Sequence, residues 1–220
     1  MLVDRYLGGG RLDPFQAYPQ VRWELFVPSL VDHYIVHMAV DIPELDQKDG
    51  LGLLRNKWFP LAVSEPATFQ IVLLLSASNF AVVSSSAAAS IRPHLVQMKC
   101  DAIHAVNEAF ALEHRRLSDA VIGAVAKMAS FEAMYGNVET YKVHMAGLQK
   151  MVAMRGGLAA LGLGGLLRRI VVWIDLNSSL LLGTPRFFPG ATFSDHDKTG
   201  DRSPDEETLL EGNLERFIAI

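Results

Sequence analysis

Residues that bind metals or act as nucleophiles are the first candidates for chemistry in this chain. His33 and His37 stand four residues apart, the spacing at which two imidazoles on one helix face bind zinc. The glutamate of a metalloprotease motif is missing, because Tyr34 follows the first histidine. Cys100 and His104 share that spacing, but no third member completes a catalytic triad. We interpret the histidines as a core or surface pair and Cys100 as a small buried hydrophobe, and we predict no catalytic, cofactor or metal site.

Two glycine-rich segments have the composition of an anion site, since backbone N–H groups beside glycines can hold phosphate. For Arg155-Gly156-Gly157 we favour a structural role, because arginine in a last helical turn complements the helix dipole and glycine takes the left-handed cap position. The segment 162–165 precedes a helix, yet no strand comes before it and no Lys-Ser or Lys-Thr pair follows, as a phosphate loop requires. We therefore interpret it as a turn.

Asp175, two residues after Trp173, is an acid inside an otherwise apolar predicted helix. A buried carboxylate needs a partner, so Asp175 is either a ligand or switch contact or one half of a structural ion pair. We favour the structural role, since buried charges are normally paired. The preceding helix ends at Arg155, about 15 Å from Asp175 along the axis of a helical hairpin. We therefore expect Asp175 to face Lys150, His144 or a neighbouring helix, with Arg155 the less favoured partner.

The elements that must position these residues are helices, because apolar residues recur at helical spacing and no segment alternates as a half-buried strand does. Proline and glycine separate the helical segments. We predict helices over residues 28–40, 64–83, 93–114, 118–136, 140–156 and 166–182, and a last acidic helix that starts near residue 203. The fold class is therefore all-α, an array of roughly seven or eight helices packed as antiparallel pairs.

Several helix ends carry recognisable capping residues. Ser64 and Ser118 are placed as N-caps of their helices. Gly136 stands where a helix ends in a left-handed residue, and either Asn137 or Thr140 opens the next helix. These residues predict where adjacent helices turn back on one another.

Composition excludes several classes of protein. The chain has 220 residues, of which 50% are apolar and 20% charged, so it can bury a large core and is not a disordered segment. Its net charge of −4 provides no field for nucleic acid, and residues 194–220 alone carry a net charge of −5. The single cysteine, Cys100, favours a reducing compartment. The most apolar stretch, 71–83, is shorter than the roughly 20 residues that span a bilayer, so we interpret it as a buried helix.

The segment 141–189 resembles a helical pair in the regulatory region of fungal zinc-cluster transcription factors, and the opening GRLDPFQAYP resembles the start of that region. The segment 118–137 also fits the family in position and composition. The matching positions are His144, Gly147, Leu148, Met151, Val152, Arg155, Gly156, Gly157, Trp173, Asp175 and Pro185 in the helical pair, with Asp13, Pro14, Phe15 and Pro19 at the opening. The similarity covers most of residues 11–190.

This resemblance implies a transcription-regulatory domain in the nucleus that acts through proteins of the transcription machinery or a small effector. It implies a loop over 1–20, a helical regulatory domain over 21–190, and an exposed acidic loop and terminal helix over 191–220. A homodimer is a further expectation. With one cysteine, the chain lacks the six-cysteine zinc cluster and basic linker of the family, so we expect no direct DNA binding by this chain. It is either a fragment without that front part or a regulator that never carried one.

Two other classes remain as alternatives. The first is a helical scaffold or adaptor unrelated to transcription. The second is a helical enzyme, for which the sequence offers no nucleophile, metal set or cofactor loop. The leading hypothesis is that the chain is a regulatory module and not an enzyme.

Overall fold

The fold is built from helices that follow one another with short connections. In the computed structural model, residues 26–46, 50–193 and 217 are described. The helices are α1 (Val27–His33), α2 (Pro43–Asp46), α3 (Phe59–Val63), α4 (Pro66–Val83), α5 (Ser85–Ile91), α6 (Leu95–Ala111), α7 (Asp119–Tyr135), α8 (Val138–Arg155) and α9 (Leu166–Leu182). Two π-helical turns are also present. Tyr34–Met38 continues α1, and Leu54–Trp58 leads into α3. No strand occurs in the described residues, and the all-α prediction is confirmed.

The helix α4 lies at the centre of the core. It is apolar nearly all round, and all of its residues from Ala67 to Asn79 are buried. Among the described residues it is the single helix long and apolar enough to cross a membrane, yet 78% of it is buried inside the fold, as in a core helix. The helices α6 and α7 both pack against it, and α8 and α9 pack against α7. This arrangement leaves α4 and α7 as the inner helices of the array.

The ends of α7 and α8 carry capping residues: Ser118 and Gly156 cap as predicted, and of the two candidates for the start of α8, Asn137 is the N-cap. Ser118 opens α7, its hydroxyl oxygen accepting a hydrogen bond from the Val121 amide at 3.3 Å. Asn137 opens α8 in the same way, with the Thr140 amide as donor at 2.9 Å. Gly156 ends α8 in the left-handed conformation, with φ of 105°. These local contacts fix the ends of the α7–α8 hairpin.

Two predicted caps are wrong. The N-cap position of α4 is the extended residue Glu65, while the hydroxyl of Ser64 donates to the Leu61 carbonyl at 2.7 Å. Gly136 follows α7 with φ of −111°, which is not left-handed. A Cβ at Gly136 would overlap the carboxylate of Glu132, so glycine is required there for space and not for its backbone conformation.

The region before and within α6 also departs from prediction. Residues 84–90, which lie between the helices predicted over 64–83 and 93–114, form most of α5, and α6 begins at Leu95 and ends at Ala111 instead of covering 93–114. Phe110, near the end of α6, is 38% exposed. This exposure reflects a gap between α6 and its neighbour α8, which is described below.

Candidate functional site

An apolar groove runs between α6 and α8, with α7 as its floor. α6 packs against α4 and α8 packs against α7, so the two walls do not pack on each other along their lengths. The resulting cavity has a volume of about 290 Å³. Its floor is formed by Val125 and Met128, its α6 wall by Ile103 and Phe110, and its α8 wall by Val143 and Met151. A concave, mainly apolar surface of this kind is typical of a ligand site.

The walls of the groove expose large apolar side chains that a folded domain normally covers. Val143 is 68% exposed, and Ile103 is 39% exposed. Gly147 lies one helical turn after Val143 on α8 and lines the groove. A Cβ built there meets no atom within 4 Å, so the helix backbone itself borders open space. Three of the positions singled out by sequence, His144, Gly147 and Met151, therefore lie in the groove.

One end of the groove is polar. The partly buried His144 lines it, and burial lowers the pKa of this imidazole below its usual value, opposed by the negative charge of Glu132. Glu132 has a fully buried side chain, and its Oε1 lies 2.6 Å from the Nζ of Lys99. The Lys99 side chain is 31% exposed and also lies over the ring of Phe131 at 5.3 Å. Of these three side chains His144 lines the groove, while Glu132 and Lys99 form an ion pair that does not line it.

The Arg-Gly-Gly segment makes hydrogen bonds within the fold. Arg155 donates from Nη1 to the Leu117 carbonyl at 2.9 Å and from Nη2 to the Asp119 carboxylate at 3.2 Å. Asp119 also accepts from the Gly162 amide at 3.3 Å. These bonds tie the end of α8 and the following turn to the start of α7. Gly157, like Gly156, has a positive φ, 94°, which favours glycine.

Asp175 is buried and hydrogen-bonded, but its predicted partners, Lys150 and His144, are wrong. Its side chain is fully buried and accepts from the Arg186 guanidinium at 3.1 Å. The backbone amides of Phe187 and Phe188 donate to the same carboxylate at 2.8 and 3.1 Å. Neither Lys150 nor His144 is its partner, because the segment after α9 folds back and supplies all three of these donors.

The remaining predicted positions lie in the core or outside the described residues. Leu148 is fully buried, and Trp173 is 2% exposed with its ring 5.0 Å from that of Phe217. Phe217 is itself buried, although the terminal segment was expected to be exposed. The positions Asp13, Pro14 and Phe15, the loop over 1–20 and the predicted start of the last helix near residue 203 lie outside the described residues.

The metal and nucleophile candidates do not converge on a site. His33 is buried, with Nε2 2.7 Å from the Asn79 side-chain oxygen, and burial lowers its pKa. The His37 ring lies 4.9 Å from that of His33. Cys100 is exposed, so its assignment as a buried hydrophobe was wrong. No group of three or more His, Cys, Asp or Glu residues within the described ranges is arranged to hold a metal ion.

Sequence reasoning missed Glu132 and Lys127, which are buried charges on α7. The signal that singled out Asp175, a charge inside an apolar helix, was present for both. The same criterion was not applied to the helix predicted over residues 118–136, which corresponds to α7.

The described residues form an all-α array with an apolar groove between α6 and α8. The sequence model of the fungal specific transcription factor domain matches residues 29–214, well over half of the chain. The chain therefore belongs to the fungal specific transcription factor domain family, whose members regulate transcription and are generally not enzymes. No curated protein and no solved structure matches it.

Proposed function

We propose that this domain regulates transcription in response to a small apolar effector bound in the groove between α6, α7 and α8. The observation that carries the proposal is the open apolar cavity of about 290 Å³, lined by residues that the fold leaves exposed. The family supplies the regulatory role in general and a nuclear setting for it. A ligand bound in the groove can change the relative positions of α6 and α8.

The dimensions of the groove favour a small molecule over a partner helix. A helix lying in a groove needs several turns of apolar contact, whereas this cavity is close to the lower end of ligand pockets, about 300 Å³. The pocket is closed below by Val125 and Met128, and its polar lining residues are Asn107 and His144. A compact apolar ligand fills such a space, and binding is favoured by the apolar area that it removes from water.

Direct DNA contact is not part of the proposed role. The chain carries a net charge of −4, so it does not gain affinity for DNA by releasing counterions. Regulation by this domain then acts through its contacts with effector and protein partners.

Gly147 gives a sharp test, because a side chain added there projects into the groove without meeting another atom. N-phenyl-1-naphthylamine, a neutral apolar fluorophore, is the probe. We expect Gly147→Leu to weaken binding of this probe by at least about tenfold, since leucine occupies the ligand volume. Gly147→Ala is the matched control and should change probe binding by no more than about threefold.

A second control places the same leucine on the exposed surface of α8. Lys150 is exposed and does not line the groove, so Lys150→Leu should leave probe binding unchanged. Equal probe binding by the wild-type protein and Gly147→Leu, with both folded by circular dichroism, would show that the groove is not the ligand site.

The link to transcription is tested in a reporter strain in which the chain is tethered to DNA by a separate DNA-binding module. Gly147→Leu should change reporter output or remove its response to cell-derived effector, while Lys150→Leu should not. If Gly147→Leu abolishes probe binding but leaves output unaltered in every growth condition, the groove does not control transcription.

A further inference from the structure

The charge of the groove lining depends on one side chain, that of His144. This residue lies partly buried on the α8 wall of a cavity whose lining is mainly apolar. Among the described residues that line the groove, it is the only one that gains or loses a charge between pH 5 and pH 8. Asn107, the other polar lining residue, stays neutral throughout. Protonation of a single imidazole therefore turns an uncharged groove into a positively charged one.

The charged groups around His144 do not mask this change. The imidazole makes no hydrogen bond to another described residue, so no protein partner competes with a ligand for the ring. Two charges on neighbouring helices act on it, the carboxylate of Glu132 on α7 and the ammonium of Lys99 on α6. These two groups form an ion pair, with Oε1 of Glu132 2.6 Å from Nζ of Lys99, so their effects on a ligand in the groove largely offset each other.

Burial decides which state of the imidazole is present at neutral pH. It lowers the pKa of His144 below the usual value of 6.5, and the negative charge of Glu132 opposes this to a smaller extent. The ring is therefore uncharged at neutral pH and takes up a proton in more acidic solution. A neutral apolar ligand that covers the ring removes it from water and disfavours its charged form. Proton and neutral ligand thus weaken each other's binding by the same factor.

A negatively charged apolar ligand responds to the proton in the opposite way. An imidazolium can donate a charge-assisted hydrogen bond to a sulfonate or carboxylate, and such bonds are roughly twice as strong as neutral ones. At neutral pH the same ligand meets no cation in the groove, because Lys99 is paired with Glu132 and does not line it. Its affinity therefore increases as His144 becomes protonated.

We propose that His144 selects the charge of the ligand, so that the groove binds neutral apolar molecules when the imidazole is uncharged and apolar anions when it is protonated. This rests on the proposed function, because it assigns a specificity to the same groove. Acidification then exchanges one class of ligand for the other.

The test uses two fluorophores that share one aromatic body and differ in charge. N-phenyl-1-naphthylamine is neutral, and 8-anilino-1-naphthalenesulfonate adds a sulfonate that stays ionised from pH 5 to pH 8. When the pH is lowered from 7.5 to 5.0, the wild-type protein should bind the neutral probe at least about threefold more weakly and the anionic probe at least about threefold more tightly. Circular dichroism at both pH values checks that the fold is unchanged.

Two histidine variants locate the effect. His144→Gln removes the titrating group and keeps a neutral polar side chain, so its affinity for each probe should agree within about twofold between the two pH values. The matched control is His104→Gln, which removes an exposed histidine of α6 that does not line the groove, and it should keep the wild-type response. If His144 only supported the fold, its replacement would lower stability and leave the pH response in place.

The results separate this proposal from the one on which it rests. Opposite pH responses of the two probes that His144→Gln removes and His104→Gln retains support it. It is overturned by affinities that do not change with pH, by two probes that respond in the same direction, or by a response that persists in His144→Gln. Failure of Gly147→Leu to weaken binding of the neutral probe at pH 7.5 would show instead that the proposed function is wrong.

Discussion

Charged side chains inside this domain are neutralised to different degrees. Asp175 accepts from a guanidinium and two backbone amides, and Glu132 has an ion pair with Lys99. Lys127 is also buried, and its ammonium lies 6.0 Å from the centre of the Trp58 ring. A cation–π contact offsets only part of the desolvation of an ammonium group. Burial accordingly lowers the pKa of Lys127 from 10.5 to about 8.

Replacing Lys127 by methionine should stabilise the protein. The folded state disfavours the charged lysine, so at pH 7 the wild-type protein is destabilised by up to roughly 3 kcal/mol. We expect Lys127→Met to raise the free energy of unfolding by about 1–3 kcal/mol at pH 7, measured by urea denaturation. Lys142→Met on the exposed face of α8 is the control and should change it by less than about 0.5 kcal/mol.

The pH dependence of the stability difference between Lys127→Met and the wild-type protein separates an effect of charge from an effect of packing. A lysine whose pKa is lowered on folding destabilises the folded state fully below pH 8, and this destabilisation is lost as the pH rises to 10.5. The advantage of Lys127→Met should therefore shrink over that interval. An advantage that stays constant from pH 7 to pH 10.5 would mean that packing, and not charge, is the cause.

At the scale of elements, residues 186–188 after α9 form a strap that is hydrogen-bonded to α9 and α8. Asp175 binds Arg186 and the amides of Phe187 and Phe188. The Phe187 carbonyl in turn accepts from the Gln149 side chain at 2.7 Å, which connects the strap to α8. Tyr141 on α8 packs edge-on against the Phe187 ring, and its own pKa is raised by burial and by the charge of Asp175. One buried carboxylate thus joins two helices and a loop.

Removing that carboxylate should cost the protein much of its stability. Asp175→Ala leaves the Arg186 guanidinium and two amides without their acceptor, so we expect a loss of about 3 kcal/mol in the free energy of unfolding. The Asp175→Ala/Arg186→Ala double variant should lose less than the sum of the single variants, since the two residues interact directly. Asp101→Ala on α6 is the control.

Thermal and urea unfolding would measure the changes in stability. Reporter output of the same variants would be measured separately. Normal stability of Asp175→Ala with reduced output would contradict the structural role and support the alternative in which Asp175 contacts a ligand. Loss of stability that is additive in the double variant would show that Arg186 is not its functional partner.

At the scale of the whole molecule, charge sets which partners the chain can bind. Its net charge is −4, and the acidic surplus lies in residues 194–220. We expect the isolated chain to give no retarded band with duplex DNA at physiological salt up to about 10 μM protein, with no effect of zinc chelation. Electrophoretic mobility shift assays provide the measurement, and a sequence-specific shift by this chain alone would refute the expectation.

The whole arrangement also explains why the groove is open. α6 is attached to α4, and α8 to α7, so the distance between α6 and α8 is set by two separate packing interfaces. Neither wall is held by the other. A ligand in the groove would contact both walls at once and so couple two helices that the fold leaves separate.

The sequence alone determined the helices and much of their capping. The bounds of α9, Leu166–Leu182, and the cap at Ser118 agree with prediction, and Asn137 is one of the two residues predicted to open α8. These features depend on residues within about one helical turn of each other, so the local pattern contains the information. The family motif followed from the sequence as well, and its match over residues 29–214 agrees with the resemblance.

Tertiary structure decided the partners of the buried charges and the location of the groove. Asp175 is bound by Arg186, which lies in a segment without periodicity, so no spacing rule indicated it. Phe110 belongs to an apolar stripe, but whether that stripe is covered depends on how far α8 stands from α6. Periodicity shows which face of a helix is apolar, while the packing of distant helices determines whether that face meets protein or remains open to a ligand.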